Sequence, residues 1–489
     1  MMIVWLLTFI SLPIIFFIFL LKTSSRKPGH PPGPPRLPFI GNLLQYTTSN
    51  FHIVLANFSK KYGALMSMDL MGKPVIVISS AKIAKQALKH NDLAFSNRPS
   101  FICAAKLSYN NHGIANSPYS EHWREMRKLV VLRLFTLKQV KSFRPVREDE
   151  VSRMVKSISK QANQIVNLSE ATMFYSSSVI CRVAVGKRYD EKRRFDRLLG
   201  ELQAMSLEIL VGDFFPWMIW IDRLCGKVSR LEKVFYELDS FYQEVIDEHV
   251  SPNRPQSMDG DILDLLIRLR DEGSSVDWDH IKGIIMNVFV AGADTTAATL
   301  TWAMTALIKN PNTLQKAQEE IRSSIGKKGN VNEDDIEKLP YLKAVVKETL
   351  RLYPPAPLSL PRETRTSCII NGYEIEDKAL VFVNLWAIGR DPDYWENPTE
   401  FLPERFLDSD IDFKGQDFGF IPFGSGRRQC PGLALGIVQV EMALANILYS
   451  FDWELPPGML EDDVDMDCSP GATAHKKNAL CLRAKDYQL

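Results

Sequence analysis

The chain has 489 residues with a formal net charge of +1, 24% charged residues and 45% hydrophobic residues. That balance is ordinary for a globular protein, and the scattered Lys and Arg residues form no basic stripe of the kind that binds nucleic acid. Seven cysteines, an odd number with no C-x-x-C pair, argue against a disulfide-stapled secreted domain or a zinc site and suit a body facing a reducing compartment.

Residues Met2 to Leu21 carry no charge, and a run of about twenty apolar residues is what a ~30 Å hydrocarbon core requires. Lys22, Arg26 and Lys27 follow at once and no basic residue precedes, so the positive-inside rule places the rest of the chain in the cytosol. The run has neither the basic n-region nor the small-residue cleavage site of a signal peptide. In this topology the sequons at Asn57 and Asn167 are chance matches. Residues 1–21 are therefore expected to be a transmembrane anchor and 22–35 a basic, Pro-rich hinge. The segment Pro28-Gly-His-Pro-Pro-Gly-Pro-Pro35 is stiff enough to act as a strut. Residues 36–489 form one large domain, since no repeat or Gly/Ser linker divides them.

Between Tyr62 and Ser80, apolar alternation around Met71-Gly72-Lys73-Pro74 predicts a β-hairpin. From about Ser80 to Leu350 the spacing is mostly helical, clearest over 121–134, 231–249, 261–270, 280–308, 314–325 and 341–352. Asn310-Pro311 stops one long helix. After Leu352 come prolines and short β-like runs through CIINGYEIEDKALVFVNLWAI, then a last helix over about 433–451. The fold class is mainly α with a smaller β-rich part built from both ends of the chain.

The pattern Phe423-x-x-Gly426-x-Arg428-x-Cys430-x-Gly432 fixes five positions in ten. Glycines allow tight left-handed turns and close approach to a flat ligand. A thiolate facing backbone N–H groups at a helix start is stabilised as an anion, which is what an iron ligand needs. Arg428 is placed to meet an acidic group on the same ligand. The Gly-Ser-Gly lacks the third glycine and the crossover of a dinucleotide loop.

This segment resembles the haem-binding loop of the cytochromes P450, and the resemblance runs from the hinge to near the C-terminus. PPGPPRLPFIGNL, AGADTT, KETLRLYPP, NLWAIGRDP, PERF, DFKGQDF and PFGSGRRQCPG come in family order, closest to the plant A-type enzymes of the 71 clan. FRPVRE and CRVAVGKRY also resemble the aldoxime-oxidising subfamily of that clan.

The resemblance implies a P450 fold, haem b with Cys430 as axial thiolate, and Phe423 and Gly432 beside it. It implies that Asp294 and Thr295, in Ala291-Gly-Ala-Asp-Thr-Thr296, deliver protons at the oxygen-binding side of the haem, flanked by Ala291 and Gly292. An acid and an alcohol side by side are poor choices within a long apolar helix, and Thr295 can bond back to a carbonyl one turn earlier where Gly292 leaves room for a local opening. Trp123 and Arg127, stacked at i,i+4, would serve the haem propionates with Arg362 and Arg428. Glu348, Arg351 and Arg405 would form a structural network.

The implied activity is monooxygenation of a small lipophilic secondary metabolite with O2 and electrons from NADPH. No flavin or nicotinamide segment is evident, so a separate membrane-bound flavoprotein reductase is implied, docking on a basic face near Arg427 and Arg428. The catalytic unit would be monomeric and sit on the endoplasmic reticulum membrane. A reductase-independent haem-thiolate isomerase or dehydratase, which typically lacks the acid–alcohol pair, and an aldoxime-metabolising oxidase stay open. The pocket wall is expected from 101–115, 209–217, 289–295, 356–360 and 471–474, with Phe214, Phe215 and Trp217 adding aromatic surface. His122 and His475 are expected to face solvent.

Overall fold

The computed structural model describes residues 29–46, 50–188, 192–206, 208–254 and 260–487. The expected membrane anchor and the first part of the hinge lie outside the described residues. From Gly29 onward the Pro-rich segment packs against the body. Ser67 donates its N–H to the carbonyl of Pro32 (2.7 Å) and its hydroxyl to that of Pro31 (2.7 Å). Asn42 reaches the carbonyl of Pro35 at 2.9 Å. Prolines, which have no N–H to satisfy, can lie along a sheet in this way as acceptors only.

In chain order, α1 (Phe51–Tyr62) precedes strands β1 (Leu65–Leu70) and β2 (Lys73–Ile78). Met71 and Gly72 both take positive φ, the backbone of a tight two-residue hairpin turn. Helices α2 (Glu121–Leu129) and α3 (Arg144–Ser159) lead to β3 (Ile165–Asn167) and α4 (Leu168–Val185). Then come α5 (Lys192–Ser206), α6 (Lys227–Val250), α7 (Ile262–Asp271) and α8 (Trp278–Lys309). Pro311 ends α8 and opens α9 (Pro311–Ile325), because proline cannot continue one helix but suits the first turn of the next. Helix α10 (Pro340–Leu352) precedes β4 (Arg362–Glu363), β5 (Cys368–Ile370), β6 (Tyr373–Ile375) and β7 (Leu380–Val383). Helix α11 (Leu433–Ser450), β8 (Phe451–Glu454) and β9 (Cys481–Asp486) complete the chain.

The β-rich part does draw on both ends. One sheet has the order β1-β2-β7-β4, with β2 and β7 parallel from Val75↔Leu380. The order β3-β9-β8 adds a mid-chain strand that three residues of sequence did not announce. The end of the predicted β-like run also differs: Leu385–Ile388 is a helical turn, capped by the Asn384 side chain on the N–H of Ala387.

Helix α8 is the axis of the core, and all its residues from His280 to Ile308 are buried except Asn287, Val290, Ala291, Gly292 and Thr295. It lies along α4, whose small residues allow close approach. Ser176 donates to the carbonyl of Ala293 at 2.6 Å, and Thr172 and Thr301 meet at 3.1 Å. A Cβ on Gly292 would stand 2.3 Å from Ile180 Cδ1. Gly292 thus serves close packing of α4 on α8; the helix runs unbroken through it, so the expected local opening is not seen. Helices α8 and α11 are long and apolar enough to span a membrane, yet most of each is buried in this core.

Helix α11 carries a buried acid, Glu441, whose carboxyl is raised to about 7 by burial, against the opposing pull of Lys343 and Lys347. A carboxyl raised above its unfolded value binds more protons when folded. Stability is therefore expected to fall as pH rises from about 4.5 to 7 and then level off, by on the order of 3 kcal/mol. Glu441→Gln should flatten that part of the pH profile and stabilise the protein at pH 8 in urea denaturation of the haem-loaded form. An unchanged profile would refute this.

Candidate active site

The Cys430 loop is built by local hydrogen bonds before any ligand is considered. The N–H of Cys430 donates to the carbonyl of Phe423 at 2.9 Å, and that of Gln429 to Gly426 at 3.1 Å. Gly424 and Gly426 both have φ of 71°, and a Cβ on Gly426 would stand 2.4 Å from Asp92 Oδ1. These two turns need glycine; Gly432, at φ −84°, begins α11 in a conformation open to other residues. The segment 412–418 braces the loop: Ser425 Oγ donates to the carbonyl of Gly415 (2.6 Å) and Gln429 Nε2 to that of Lys414 (2.8 Å). Phe423 packs edge-on against Phe413, with centroids 5.9 Å apart.

Burial pushes the Cys430 thiol up, opposed by the N–H of Gly432 and the charge of Arg127. The Gly432 N–H acts in the direction expected of the loop's donors and favours the thiolate, against the cost of burial. A bound cation would supply the missing stabilisation. Yet Cys430 retains exposed surface. A sulfur that is both accessible and desolvated faces a space inside the protein.

Four arginines share this neighbourhood: Arg98, Arg127, Arg362 and Arg428. Burial and the charges of the other three hold Arg98 well below the usual guanidinium range. Burial lowers Arg362 to about 10, and burial with Arg362 and Arg127 lowers Arg428 to about 9. Among the described residues their hydrogen bonds run to main-chain carbonyls. Arg428 donates to Ser96 (2.7 Å) and Ser117 (2.7 Å), Arg362 to Ser425 (3.1 Å), Arg98 to Pro361 (2.7 Å), and Arg127 to Gln429. Buried cations without a carboxylate partner are costly, and an anionic ligand relieves them. The two propionates of a haem fit that need.

Trp123 is placed differently from expectation. Its indole N–H donates to the carbonyl of Ile114 at 3.0 Å, and its ring lies under Arg428, 3.8 Å from the guanidinium carbon. It positions an arginine rather than offering a free donor. Arg98, before Pro99 in a loop, has no periodic pattern that would have singled it out.

On α8, Asn287, Ala291 and Thr295 lie at i, i+4 and i+8 and form the partly open stripe of the helix. Thr295 Oγ1 donates to the carbonyl of Ala291 at 2.7 Å, as predicted. Asp294 is buried and turns to the other side, where Oδ1 meets His475 Nε2 at 2.5 Å. His475 is therefore not a free surface residue. It is held in place because Trp302 donates to the carbonyl of Ala474 (2.6 Å) and the N–H of Ala474 to that of Pro355 (2.8 Å). No sequence spacing links Asp294 with His475.

Several expected wall segments do come together. Asn287 Oδ1 accepts from the N–H groups of Ile114 (2.8 Å) and Ala115 (3.0 Å), and Asp213 Oδ1 accepts from that of Ile102 (2.7 Å). Phe214 packs with Phe101 and Leu358 against the β1–β2 hairpin. Trp217, by contrast, is 73% exposed and does not line an interior wall.

Glu348, Arg351 and Arg405 form the expected network. Arg351 holds both oxygens of Glu348, at 2.6 and 2.7 Å, and Arg405 Nε adds a third bond at 3.0 Å. Arg351 also binds the carbonyls of Pro398 and Glu400, tying α10 to the chain that precedes the Cys430 loop. Glu348→Ala strands two buried cations and should cost about 3–5 kcal/mol. Denaturant unfolding and loss of haem on standing would measure it; a cost below about 1 kcal/mol would contradict the network's role.

An interior space with a cysteine in a glycine-rich loop on one wall, arginines at its edge and an acid–alcohol helix is the arrangement of a haem-thiolate protein. The chain belongs to the cytochrome P450 family: the sequence model described as Cytochrome P450 matches residues 31–482. It is 49% identical to the 6,7,8-trihydroxycoumarin synthase of Pastinaca sativa, over 99% of each chain. Identity is 50% with the 5-OH-xanthotoxin synthase of the same species, over 97% of this chain and 96% of the relative. It is 44% with the strychnine-11-hydroxylase of Strychnos nux-vomica, over 96% and 94%. A zebra fish cytochrome P450 structure with progesterone shares the fold at a TM-score of 0.77 and 24% identity, over 89% of this chain and 99% of that one. The protein is a haem-thiolate monooxygenase of plant secondary metabolism.

Proposed function

We propose that this monooxygenase hydroxylates a planar, lipophilic coumarin-type metabolite, using electrons passed from NADPH by a separate flavoprotein reductase. The substrate reading rests on one observation: relatives named for coumarin products stand at 48–50% identity, against 44% for the strychnine hydroxylase. Overall, RH, O2, two electrons and two protons give ROH and H2O. A haem bound there would supply oxygen binding and the oxidising power.

The chain's own residues have distinct tasks. Cys430 would hold the haem iron through its thiolate, and Phe423, Gly424 and Gly426 hold its loop. Arg98, Arg127, Arg362 and Arg428 neutralise the propionates, with Trp123 stacked beneath Arg428. Ala291 and Gly292 flank the oxygen side. Asp294 and Thr295 move protons there, and His475 connects Asp294 to the outside, its side chain being 32% exposed. Residues 36–489 form the catalytic domain, behind an anchor at 1–21 and a hinge at 22–35.

The anchor reading places the protein on the endoplasmic reticulum membrane with its body in the cytosol. Exposed Leu37, Phe39 and Leu44 just after the hinge support an apolar contact surface there. For the reductase, the expected basic patch at Arg427 and Arg428 is not available: Arg428 is buried and Arg427 pairs with Asp92 at 2.5 Å. Lys128 on the outer side of α2, the helix whose Arg127 touches Gln429 of the loop, is the better candidate.

The test is turnover of a panel of coumarins by membranes containing this protein and a plant P450 reductase. A product heavier by one oxygen atom, dependent on NADPH and reductase, is expected. Turnover of alkaloids or terpenoids with none of coumarins would overturn the substrate reading and leave the enzyme class intact.

A further inference from the structure

Three histidines from three separate elements meet in a place that the reaction above does not use. His280 lies in the first turn of α8 and is buried; His122 lies at the start of α2 and is exposed; His112 lies in the loop between them in space. The Nε2 atoms of His280 and His122 are 2.6 Å apart. The ring of His112 is 4.4 Å from that of His280 and 6.3 Å from that of His122, centroid to centroid. His112, His280 and Asp277 each bring a donor atom within 4.8 Å of the others.

The orientation of two of these rings is fixed from behind. His280 Nδ1 meets Asp277 Oδ1 at 2.6 Å, and His112 Nδ1 meets the carbonyl of Tyr109. In the tautomer with the proton on Nδ1, each Nε2 is left with its lone pair. A carboxylate or carbonyl behind an imidazole is the usual support of a metal-ligating histidine. Charge also favours a cation here. The other cluster of this kind, His249 with Asp261 and Asp264, is already filled by Arg254, which bonds to both acids. Among the described residues no Lys or Arg pairs with Asp277 or with the three rings.

We propose that His112, His122 and His280 bind one divalent ion of the zinc–copper class, with Asp277 supporting His280 and water completing the shell. Three imidazoles suit these ions rather than magnesium or calcium. Tetrahedral zinc, with Zn–N of about 2.0–2.1 Å, separates its nitrogens by about 3.3 Å. The 2.6 Å between His280 and His122 is shorter than that, so the His122 ring must move, which its exposed position permits.

The ion would join the 109–115 loop to α2 and to the start of α8. That loop carries the Ile114 carbonyl, which accepts from Trp123 and from Arg428, and its next N–H groups rest on Asn287. A close approach of Gly113 to Gly283, where a Cβ on Gly283 would stand 2.8 Å from the Gly113 nitrogen, already brings the loop onto α8. Binding would stiffen this wall of the substrate space and slow substrate entry.

The experiment is zinc titration of the haem-loaded protein, free of any polyhistidine tag, in competition with a chromophoric chelator. One equivalent per chain is expected, weakened at least ~10-fold by His122→Asn and by His112→Gln. The exposed His122 is the safer substitution for folding, and an unchanged carbon monoxide spectrum would verify the variant. Zinc-edge X-ray absorption should show a nitrogen-rich shell with imidazole scattering. Binding of equal strength in His122→Asn, or a shell dominated by sulfur, would overturn the proposal.

Discussion

Replacing Cys430 with Ala should remove the strongly red-shifted Soret band of the reduced, carbon monoxide-bound protein and reduce monooxygenation to background. The physical reason is specific to this loop. Burial disfavours the free thiolate, while the Gly432 N–H and Arg127 only partly offset it. The sulfur is thus poised to ionise when a metal cation arrives, and no other described side chain stands in the same loop to replace it. The variant should still fold, because Cys430 contributes to the loop through its backbone N–H to Phe423. A red-shifted band persisting in Cys430→Ala would mean that another residue ligates the iron, and the assignment of the site would fall with it.

The second large effect concerns protons. Asp294→Asn should lower product formation by about 10²-fold, the lower end of what positioned acid–base groups contribute. Thr295→Ala should keep much of the oxygen consumption but divert it to peroxide. In the structure the Thr295 hydroxyl is committed to the Ala291 carbonyl, so the alcohol must rotate to act. His475→Ala should resemble Asp294→Asn more weakly, and His475→Gln, which can keep a hydrogen bond, should recover part of the loss. Coupling of oxygen uptake to product and the solvent isotope effect would separate a proton path from a packing role. If His475→Ala leaves both unchanged, Asp294 does not draw protons through it.

The elements that were legible in the sequence are those fixed by neighbours along the chain. The β1–β2 hairpin follows from alternation around a turn whose two residues need positive φ. Helices α6 to α10 follow from apolar spacing and from Asn310-Pro311, which stops α8. Strand β3 was not legible, because three residues carry no period. The helical turn at 385–388 was read as strand because Asn384 caps it only once the backbone has turned.

By itself, the sequence determined the class of protein. The glycines at 424 and 426, the spacing to Cys430 and the acid–alcohol pair on an apolar helix are local constraints, and local constraints are written in order along the chain. Only the tertiary structure decided which groups serve one another across it. Arg98 joins the other arginines, Trp123 spends its indole N–H on Ile114, Arg427 is taken by Asp92, and Asp294 finds His475, 181 residues away. Such pairings arise from packing, where burial drives most polar groups to find a partner, and no period in the sequence encodes which partner it will be.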